Sequence, residues 1–254
     1  MEDGSIDVLR MAGAITSLER QIRQCGVAEV RMSQDVDQLA KAETECGKTS
    51  VGEHLRKSIN TLPPGRVHWI GAFDENGKCV ATCASRFDDI SGWSLQRFMH
   101  EFWTRSFPGE DGQPAKLAPH ACNFAARYTG SFAYIGEGAV RKSHRGRNLL
   151  GLVQRTLILS VWFLWRPSLI YGYMRPPMID AGYDLNWGYT IRVRHAHDWE
   201  NPPLQKDLLD LVFVAVGVEG IHRLVSQEQL ADPFRLEKNS SLEKALPASS
   251  QEAQ

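Results

Sequence analysis

Apolar residues recur every three or four positions in two long segments, a spacing that places them on one face of a helix. The first segment covers residues 5 to 24, and Gly26 ends it. The second, from about residue 145 to 165, is apolar almost throughout, so we expect it to pack on a sheet. Two further helices are predicted, one from a Ser33 cap to about Glu45 and one over about residues 51 to 60.

Strand-like runs of apolar residues lie between these helices. The clearest pair, residues 67 to 73 and 78 to 87, is joined by Asp74-Glu75-Asn76-Gly77, and Asn-Gly is a strong hairpin signal. The apolar pattern of residues 204 to 218 is compatible with a helix over this range and equally with a strand over residues 209 to 216. Further strands are predicted over residues 28 to 32, 121 to 127, 131 to 140, 168 to 174 and 189 to 195.

The alternation of strands and helices predicts an α/β protein with appendages at both ends. Residues 1 to 26 form a predicted N-terminal helical extension, and the polar residues 227 to 254 form a predicted disordered tail. Residues 93 to 107 are rich in aromatic side chains and predicted to be helical, and a Gly- and Pro-rich loop follows. We interpret residues 92 to 119 as an insertion that covers a site.

Composition narrows the classes of partner. The chain has 254 residues, 43% of them hydrophobic, which is enough for a substantial core, and a formal net charge of -1. That charge gives no general attraction to nucleic acid or to an anionic membrane. The most apolar segment, residues 156 to 165, is too short to span a bilayer, and the chain begins without a signal-peptide pattern. We therefore expect a cytoplasmic protein without a membrane partner.

Cysteine and histidine spacing gives little support to a metal site. The five cysteines form an odd set without paired Cys-x-x-Cys spacing, so reduced thiols are expected. His195 and His197 would share one face of a strand and Asp198 follows them, but no third ligand has a suitable spacing. The sequence therefore predicts no metal ion.

The most informative segment is the basic turn Val140-Arg141-Lys142-Ser143-His144-Arg145-Gly146-Arg147-Asn148-Leu149-Leu150, between a predicted strand and the apolar helix. A strand that turns directly into a helix leaves several backbone N–H groups without carbonyl partners. The helix dipole disfavours cations such as Arg145 and Arg147 at this end, unless they serve a bound anion. The turn is therefore predicted to bind phosphate or pyrophosphate.

Val140 to Gly151 resembles the acyl-CoA pyrophosphate loop of the GNAT superfamily of N-acetyltransferases. The order of predicted elements from residue 28 to about 195 is similar to the GNAT order too. The resemblance implies a GNAT-like mixed central sheet flanked by helices, with the acyltransferase domain over residues 27 to 226. It also implies acetyl-CoA or another acyl-CoA as co-substrate. The implied cofactor-binding residues are Val140, Arg141, Lys142, Arg145, Gly146, Arg147, Asn148 and Leu149.

The resemblance also implies two catalytic residues. Glu137, three residues before Val140, is the best-placed base to take the proton of an amine acceptor. Its competing interpretation is an exposed strand carboxylate in an ion pair. Tyr183, shortly before the pair Gly188-Tyr189, is the implied acid that protonates the departing thiolate. Its competing interpretation is a half-buried packing residue.

The function predicted from this resemblance is acyl transfer, most simply acetyl transfer, to a primary amine of a small molecule or protein. The alternative is a GNAT-like interaction module without catalysis, since Asn148 and Leu150 stand where smaller residues are usual. Nucleic acid binding by the basic turn is a third interpretation, weakened by the absence of a paired aromatic platform. The sequence leaves open whether the chain forms a homodimer.

Overall fold

The computed structural model describes residues 6 to 231 and contains a mixed seven-stranded sheet with helices on both faces. Among these residues the strands, in chain order, are β1 (Glu29–Ser33), β2 (Val67–Phe73), β3 (Cys79–Ser94), β4 (Lys116–Leu117), β5 (Thr129–Val140), β6 (Leu169–Met174), β7 (Ile191–Val193), β8 (Trp199–Asn201) and β9 (Val212–Val216). The sheet order is β1-β2-β3-β5-β6-β9-β7, and β4 pairs with β8 separately. Within the large sheet β5 and β6 are parallel, and the other neighbouring pairs are antiparallel. The predicted mixed α/β sheet flanked by helices is confirmed.

The α-helices of the same residues are α1 (Val8–Gln24), α2 (Val36–Glu45), α3 (Leu95–Phe98), α4 (Leu149–Trp165), α5 (Pro176–Asp180), α6 (Tyr183–Asn186) and α7 (Val218–Leu230). Helices α1, α4 and α7 contribute to one core, on the sheet face that presents Ile170 and Val214. On the opposite face, Tyr171 and Phe213 pack with α3 and the residues that follow it. Successive side chains of a β-strand point to opposite faces of the sheet, so neighbouring residues of one strand pack into two different cores.

The N-terminal helix is confirmed and belongs to the main core. Asp7 caps it by accepting a hydrogen bond from the Leu9 N–H at 2.8 Å. Its stripe of Met11, Leu18 and Ile22 is fully buried in the cluster that includes α4. Helix α1 therefore covers apolar surface of α4 that would otherwise face water.

Several predicted elements were wrong in extent or type. Asp35, not Ser33, caps α2, because its Oδ1 accepts from the N–H groups of Asp37 and Gln38. The predicted helix over residues 51 to 60 is a single 3-10 turn, Glu53–Leu55, since tertiary burial of its side chains overrides helix propensity. Residues 121 to 127 contain the 3-10 helix Asn123–Arg127 instead of a strand.

The C-terminal boundary also differs from the prediction. Residues 209 to 216 contain β9, which decides between the strand and helix alternatives. Helix α7 follows and continues through Leu230, with Leu224 and Val225 buried, so a disordered tail from residue 227 is wrong up to that point. The remainder of the predicted tail lies outside the described residues. None of the described helices combines the length and apolar composition needed to cross a membrane.

Candidate functional site

A gap between β5 and β6 forms the centre of the candidate site. The two strands pair from Phe132 opposite Leu169 to Ile135 opposite Gly172. Beyond this point β5 stays paired with β3 up to Val140, while β6 stays paired with β9. The last paired position requires glycine, since a Cβ on Gly172 would lie 2.7 Å from the Ile135 carbonyl oxygen. The parallel strands therefore separate in the middle of the sheet, exposing strand edges to a ligand.

Two cavities lie at this gap and share Met178 and Trp187 in their walls. One cavity, of about 510 Å³, lies against the basic turn and the start of α4 and is here called the loop cavity. The other, of about 280 Å³, is lined by Tyr134 to Gly138 of β5 and by aromatic side chains, and is here called the aromatic cavity. Because the cavities are neighbours, an elongated ligand can occupy both.

The basic turn has the backbone geometry expected of an anion site. Gly146 and Asn148 have φ of 80° and 56°, in the left-handed region that glycine and asparagine tolerate best. The Asn148 side chain makes no capping hydrogen bond to α4. It exchanges hydrogen bonds with Asn186 instead, at 2.6 and 3.4 Å. The first-turn N–H groups of α4 are therefore left for another acceptor.

The predicted cofactor residues divide into two groups. Five of them line the loop cavity, namely Val140, Arg145, Gly146, Asn148 and Leu149. The other three, Arg141, Lys142 and Arg147, lie outside its lining.

Two of the basic side chains outside the lining hold the turn in place. Arg141 forms an ion pair with Asp74 at 3.0 Å and donates to the Glu45 carbonyl. Arg147 donates to the Cys25 carbonyl at 3.1 Å. The ion pair with Asp74 also reduces the positive charge that Arg141 offers to a nucleic acid, which weakens that interpretation.

Leu150 lies beside Gly138 of β5. Its methyl groups lie 3.7 Å from the position that a Cβ on Gly138 would occupy, and Leu150 lines the loop cavity. The leucine thus packs over a residue without a side chain. A Cβ at position 138 would meet these methyl groups at an ordinary van der Waals distance.

Glu137 sits in a bulge of β5. Two residues, Glu137 and Gly138, lie opposite Cys83, and Glu137 has φ of 59°. Its carboxylate is buried, lines the aromatic cavity and forms an ion pair with Lys48. The competing prediction was an exposed carboxylate in an ion pair. The ion pair is present, but the carboxylate is buried.

A second carboxyl group approaches the same ammonium. Glu43 of α2 is fully buried, and its Oε2 lies 3.4 Å from Lys48 Nζ. Burial and the charge of Glu137 raise the pKa of Glu43 to about 9, so this carboxyl binds a proton at neutral pH. Burial lowers the pKa of Lys48, but Glu137 and Glu43 outweigh it and the net shift is upward.

Sequence reasoning missed both of these residues. Glu43 follows Leu39 by four positions on the buried face of α2, and a carboxylate on an apolar stripe is a usable signal. Lys48 has no comparable signal, because only the fold brings it to Glu137, 89 residues away.

Tyr183 begins α6 and lines the loop cavity. Its side chain is 45% exposed, and its ring centroid lies 6.0 Å from that of Trp187, which both cavities share. The predicted acid thus lies in the loop cavity, next to the tryptophan that both cavities share.

A second tyrosine, which sequence reasoning did not single out as a site residue, lines the aromatic cavity. Tyr189 is buried, and its hydroxyl accepts a hydrogen bond from Gln154 Nε2 at 2.7 Å. Burial holds the pKa of Tyr189 well above its usual value. Gln154 Oε1 in turn accepts from Cys83 at 2.7 Å, so this hydroxyl belongs to a buried polar network.

The segment predicted as an insertion reaches the site. Trp103 and Phe107 line the aromatic cavity together with His54 from the Glu53–Leu55 turn. His197 also joins this cluster, with its ring centroid 5.0 Å from that of Trp103. His195 is exposed and lies 3.6 Å from Asp210 instead. The two histidines therefore do not share a face, and within residues 6 to 231 no group of metal-ligating side chains is close enough to hold an ion.

The five cysteines are free thiols, as predicted. Cys46 and Cys79 are buried, and their sulfur atoms lie 3.7 Å apart. Burial raises the pKa of Cys122 to about 12, so this thiol stays protonated.

No protein-family model matches the chain, and a search of curated proteins finds no match. Several solved structures are similar to it at low identity. A Drosophila melanogaster polyamine N-acetyltransferase is 15% identical with a TM-score of 0.45, and the match covers 74% of this chain and 100% of that one. Arabidopsis thaliana NAA60 in complex with acetyl-CoA is 8% identical with a TM-score of 0.44, covering 75% and 99%.

An acyl-CoA N-acyltransferase from Pseudomonas aeruginosa is 11% identical with a TM-score of 0.42, covering 74% of this chain and 97% of that one. At TM-scores below 0.5 the likeness is distant. The fold of the present chain is therefore defined by its own strand order and by the separation of β5 from β6.

Proposed function

We propose that this protein is an N-acyltransferase that transfers an acyl group from acetyl-CoA, or another acyl-CoA, to a primary amine. The observation that carries the proposal is the separation of β5 from β6 beside the uncapped start of α4. A pantetheine arm in this gap meets the free edge of β5, while the cofactor phosphates lie at the helix end. One ligand then spans both cavities.

The basic turn offers the donors that a pyrophosphate needs. The first N–H groups of α4 are uncapped, and the exposed Arg145 lines the same cavity. We assign phosphate binding to Arg145, Gly146, Asn148 and Leu149, with Val140 at the strand end and Lys142 as a nearby cation. Arg141 and Arg147 act indirectly, because their contacts with Asp74 and Cys25 fix the turn.

The proposed reaction is a direct transfer. The amine nitrogen forms a C–N bond with the thioester carbonyl carbon, the C–S bond breaks, and its electron pair goes to sulfur. The proton lost by nitrogen passes to the Glu137 carboxylate, and the thiolate takes a proton from the Tyr183 hydroxyl. Exchange with solvent restores both groups. Most of the acceleration comes from holding the two substrates side by side.

Binding of acetyl-CoA, measured by isothermal titration calorimetry, tests the cofactor site. We expect saturable binding that Arg145→Ala weakens about tenfold, since a charge-assisted contact is lost. Arg223→Ala in α7 is the matched control, because this arginine is exposed and lies outside the lining of both cavities. Absence of wild-type binding, or equal loss in both variants, would contradict the assignment.

Turnover tests the catalytic role of Glu137. Free CoA released in the presence of a panel of primary amines is measured for the wild type and for Glu137→Gln. We expect kcat to fall about a hundredfold in the variant while acetyl-CoA binding is retained, as for loss of a general base. Unchanged kcat would remove Glu137 from the reaction.

The second candidate function is an acyl-CoA-binding module without catalysis. The specific observation in its favour is that Lys48 already engages the Glu137 carboxylate. Tight acetyl-CoA binding without CoA release for any amine would support this function over the enzyme.

A further inference from the structure

The carboxylate of Glu137 is held by one loop, residues 47 to 52, here called the clamp loop. It joins α2 to the Glu53–Leu55 turn. Lys48, near the start of this loop, forms an ion pair with Glu137, and Gly52, at its end, packs on the same carboxylate. The proposed base is therefore contacted twice by a single segment that is distant from it in the sequence.

Gly52 packs directly against the carboxylate of Glu137. A Cβ at position 52 would overlap Glu137 Oε1, and it would lie 3.0 Å from Cδ and 3.2 Å from Oε2 of the same side chain. These are the three nearest atoms to that Cβ position. The φ of Gly52 is -64°, which any residue can adopt. Glycine is thus required here by the space that the carboxylate occupies.

Lys48 holds the carboxylate from another direction. Its ammonium forms an ion pair with Glu137 Oε2 and lies 3.4 Å from Oε2 of Glu43. Glu137 lines the aromatic cavity, whereas neither Lys48 nor Glu43 belongs to the lining. The ammonium therefore reaches the carboxylate from outside the cavity, and the cavity side of Glu137 stays available to an amine.

The clamp loop is itself fixed at both ends by backbone hydrogen bonds. Gly47 has φ of 94° and ends α2 in the left-handed conformation that terminates many helices. The Lys48 N–H then donates to the Glu43 carbonyl at 3.0 Å. At the other end, the Gly52 carbonyl accepts from the Leu55 N–H at 3.1 Å. The loop backbone is thus held by contacts other than the carboxylate.

The backbone of Glu137 needs this support. Its φ of 59° lies in the left-handed region, which disfavours residues that carry a Cβ, and it occurs in the bulge of β5. A conformation of this kind persists only where the surrounding contacts fix it. The ion pair with Lys48 and the packing on Gly52 are two such contacts.

We infer that Lys48 and Gly52 are positioning residues, which fix the Glu137 carboxylate at the gap between β5 and β6 where it takes the proton of the amine. The inference rests on the proposed function, in which Glu137 is the base. A base must lie within hydrogen-bond reach of the proton that it removes, and a displacement of about 1 Å lowers a rate by up to about a hundredfold. The clamp loop therefore acts on kcat through Glu137.

Gly52→Ala tests the packing contact, because it adds one methyl group whose nearest atoms all belong to Glu137. CoA release from acetyl-CoA is measured with tyramine, 1,4-diaminobutane and a lysine-containing peptide as amine probes. We expect kcat to fall about tenfold or more and the KM for acetyl-CoA to change less than about twofold. The cofactor phosphates are assigned to the loop cavity, which Gly52 does not line. Gly13→Ala, in open space on α1, is the matched control and should leave kcat unchanged.

The same substitution in a Glu137→Gln background separates positioning of the base from a general structural effect. Once the base is absent, Gly52→Ala should lower the remaining kcat by less than about twofold, since the two changes act on one group. A loss of equal size in both backgrounds would overturn the positioning role of Gly52.

Lys48→Met and Lys48→Arg test the charged contact. Methionine removes the ammonium and keeps an unbranched side chain, so kcat should fall about tenfold, whereas arginine should restore kcat to within about threefold of the wild type. Lys57→Met is the matched control, because Lys57 pairs with Asp37 at the surface at 2.7 Å. Equal losses of kcat in the methionine and arginine variants would contradict a role for the charge.

Two outcomes distinguish failure of this inference from failure of the proposed function. Turnover by the wild type, with undiminished kcat in Gly52→Ala and in Lys48→Met, would overturn the positioning role and leave the acyltransferase intact. Acetyl-CoA binding without CoA release for every amine probe would overturn both the enzyme and the role of the clamp loop.

Discussion

Lys48 and Glu137 form an ion pair that joins the loop after α2 to the bulge in β5, across 89 residues of sequence. The Glu137 side chain is buried, while that of Lys48 is 30% exposed. Removing one partner of such a pair leaves a buried charge without a counter-charge. The resulting loss of stability is larger than the net stabilisation that the intact pair provides.

A double-mutant cycle measures this coupling. We expect Lys48→Met to lower the free energy of unfolding by about 2 kcal/mol, at the low end for buried pairs because Lys48 is partly exposed. Adding Glu137→Gln should restore about half of the loss, since the uncompensated carboxylate is then gone. Urea unfolding of the four proteins provides the energies. Strictly additive effects would indicate that the two side chains are not coupled.

Glu43→Gln should change the dependence of stability on pH. The folded protein holds the Glu43 pKa at about 9, above its ordinary value of 4.5, so folding binds a proton between these values. The wild type is therefore expected to lose stability as pH rises from about 4.5 to about 9, and the glutamine variant to lose less.

The expected difference for Glu43→Gln is on the order of 3–4 kcal/mol between pH 6 and pH 9, because each pH unit contributes about 1.4 kcal/mol, and it appears as a shift of several degrees or more in Tm. Thermal unfolding at a series of pH values measures it. Parallel curves for wild type and variant would show that Glu43 titrates normally. Gln38→Glu, at a position where the side chain bonds Asp35 at the surface, provides a control for charge alone.

Buried histidines should make the protein sensitive to acid. Burial lowers the pKa of His68 and of His197 to about 4, and burial also holds the pKa of His54 well below its usual value. Because the unfolded histidines take up protons near pH 6.5, stability is present above this pH and is lost as pH falls toward 4.

His197→Phe isolates one part of this acid sensitivity. The ring contacts with Trp103 and Tyr173 are retained while the titrating group is removed. The loss of stability between pH 7 and pH 5 should shrink by about 1–2 kcal/mol. Urea unfolding at both pH values gives this difference, and an unchanged difference would mean that His197 is protonated in the folded state.

Gly172→Ala tests the point where β5 and β6 separate. The new Cβ would lie 2.7 Å from the Ile135 carbonyl oxygen, a backbone atom that cannot move independently of the strand. We expect a loss of about 2 kcal/mol in the free energy of unfolding. Gly13→Ala is the control, because Gly13 lies in α1 with open space around it and alanine should be neutral or stabilising there.

Tyr183→Phe and Tyr189→Phe distinguish the two tyrosines at the gap. If Tyr183 protonates the thiolate, its variant should lower kcat about tenfold or more without change in Tm. Tyr189→Phe should instead lower Tm by a few degrees, because Gln154 Nε2 loses a buried acceptor. Kinetics and thermal unfolding of both variants check this, and unchanged kcat in Tyr183→Phe would remove it as the acid.

Local patterns were sufficient for elements whose stability is mostly local. The hairpin at Asn76-Gly77, the stripe of α1 and the apolar α4 were predicted near their observed bounds. The left-handed Asn148 was also foreseeable, because asparagine tolerates this conformation. Residues 121 to 127 were mistaken for a strand. Their apolar residues pack in the core beneath α3, but the segment is a 3-10 helix and pairs with no strand.

The sequence by itself determined a mixed α/β chain, a basic turn before a long buried helix, and Glu137 as the carboxylate next to that turn. Only the tertiary structure decided which of the arginines face the loop cavity, that Lys48 and Glu43 surround Glu137, and that His54 joins Trp103 and Tyr173 at one wall. The physical reason is the distance along the chain over which each interaction acts. Hydrophobic periodicity and turn preferences act over a few residues, whereas pairing of buried charges and rings depends on strand register and on the bulge that turns Glu137.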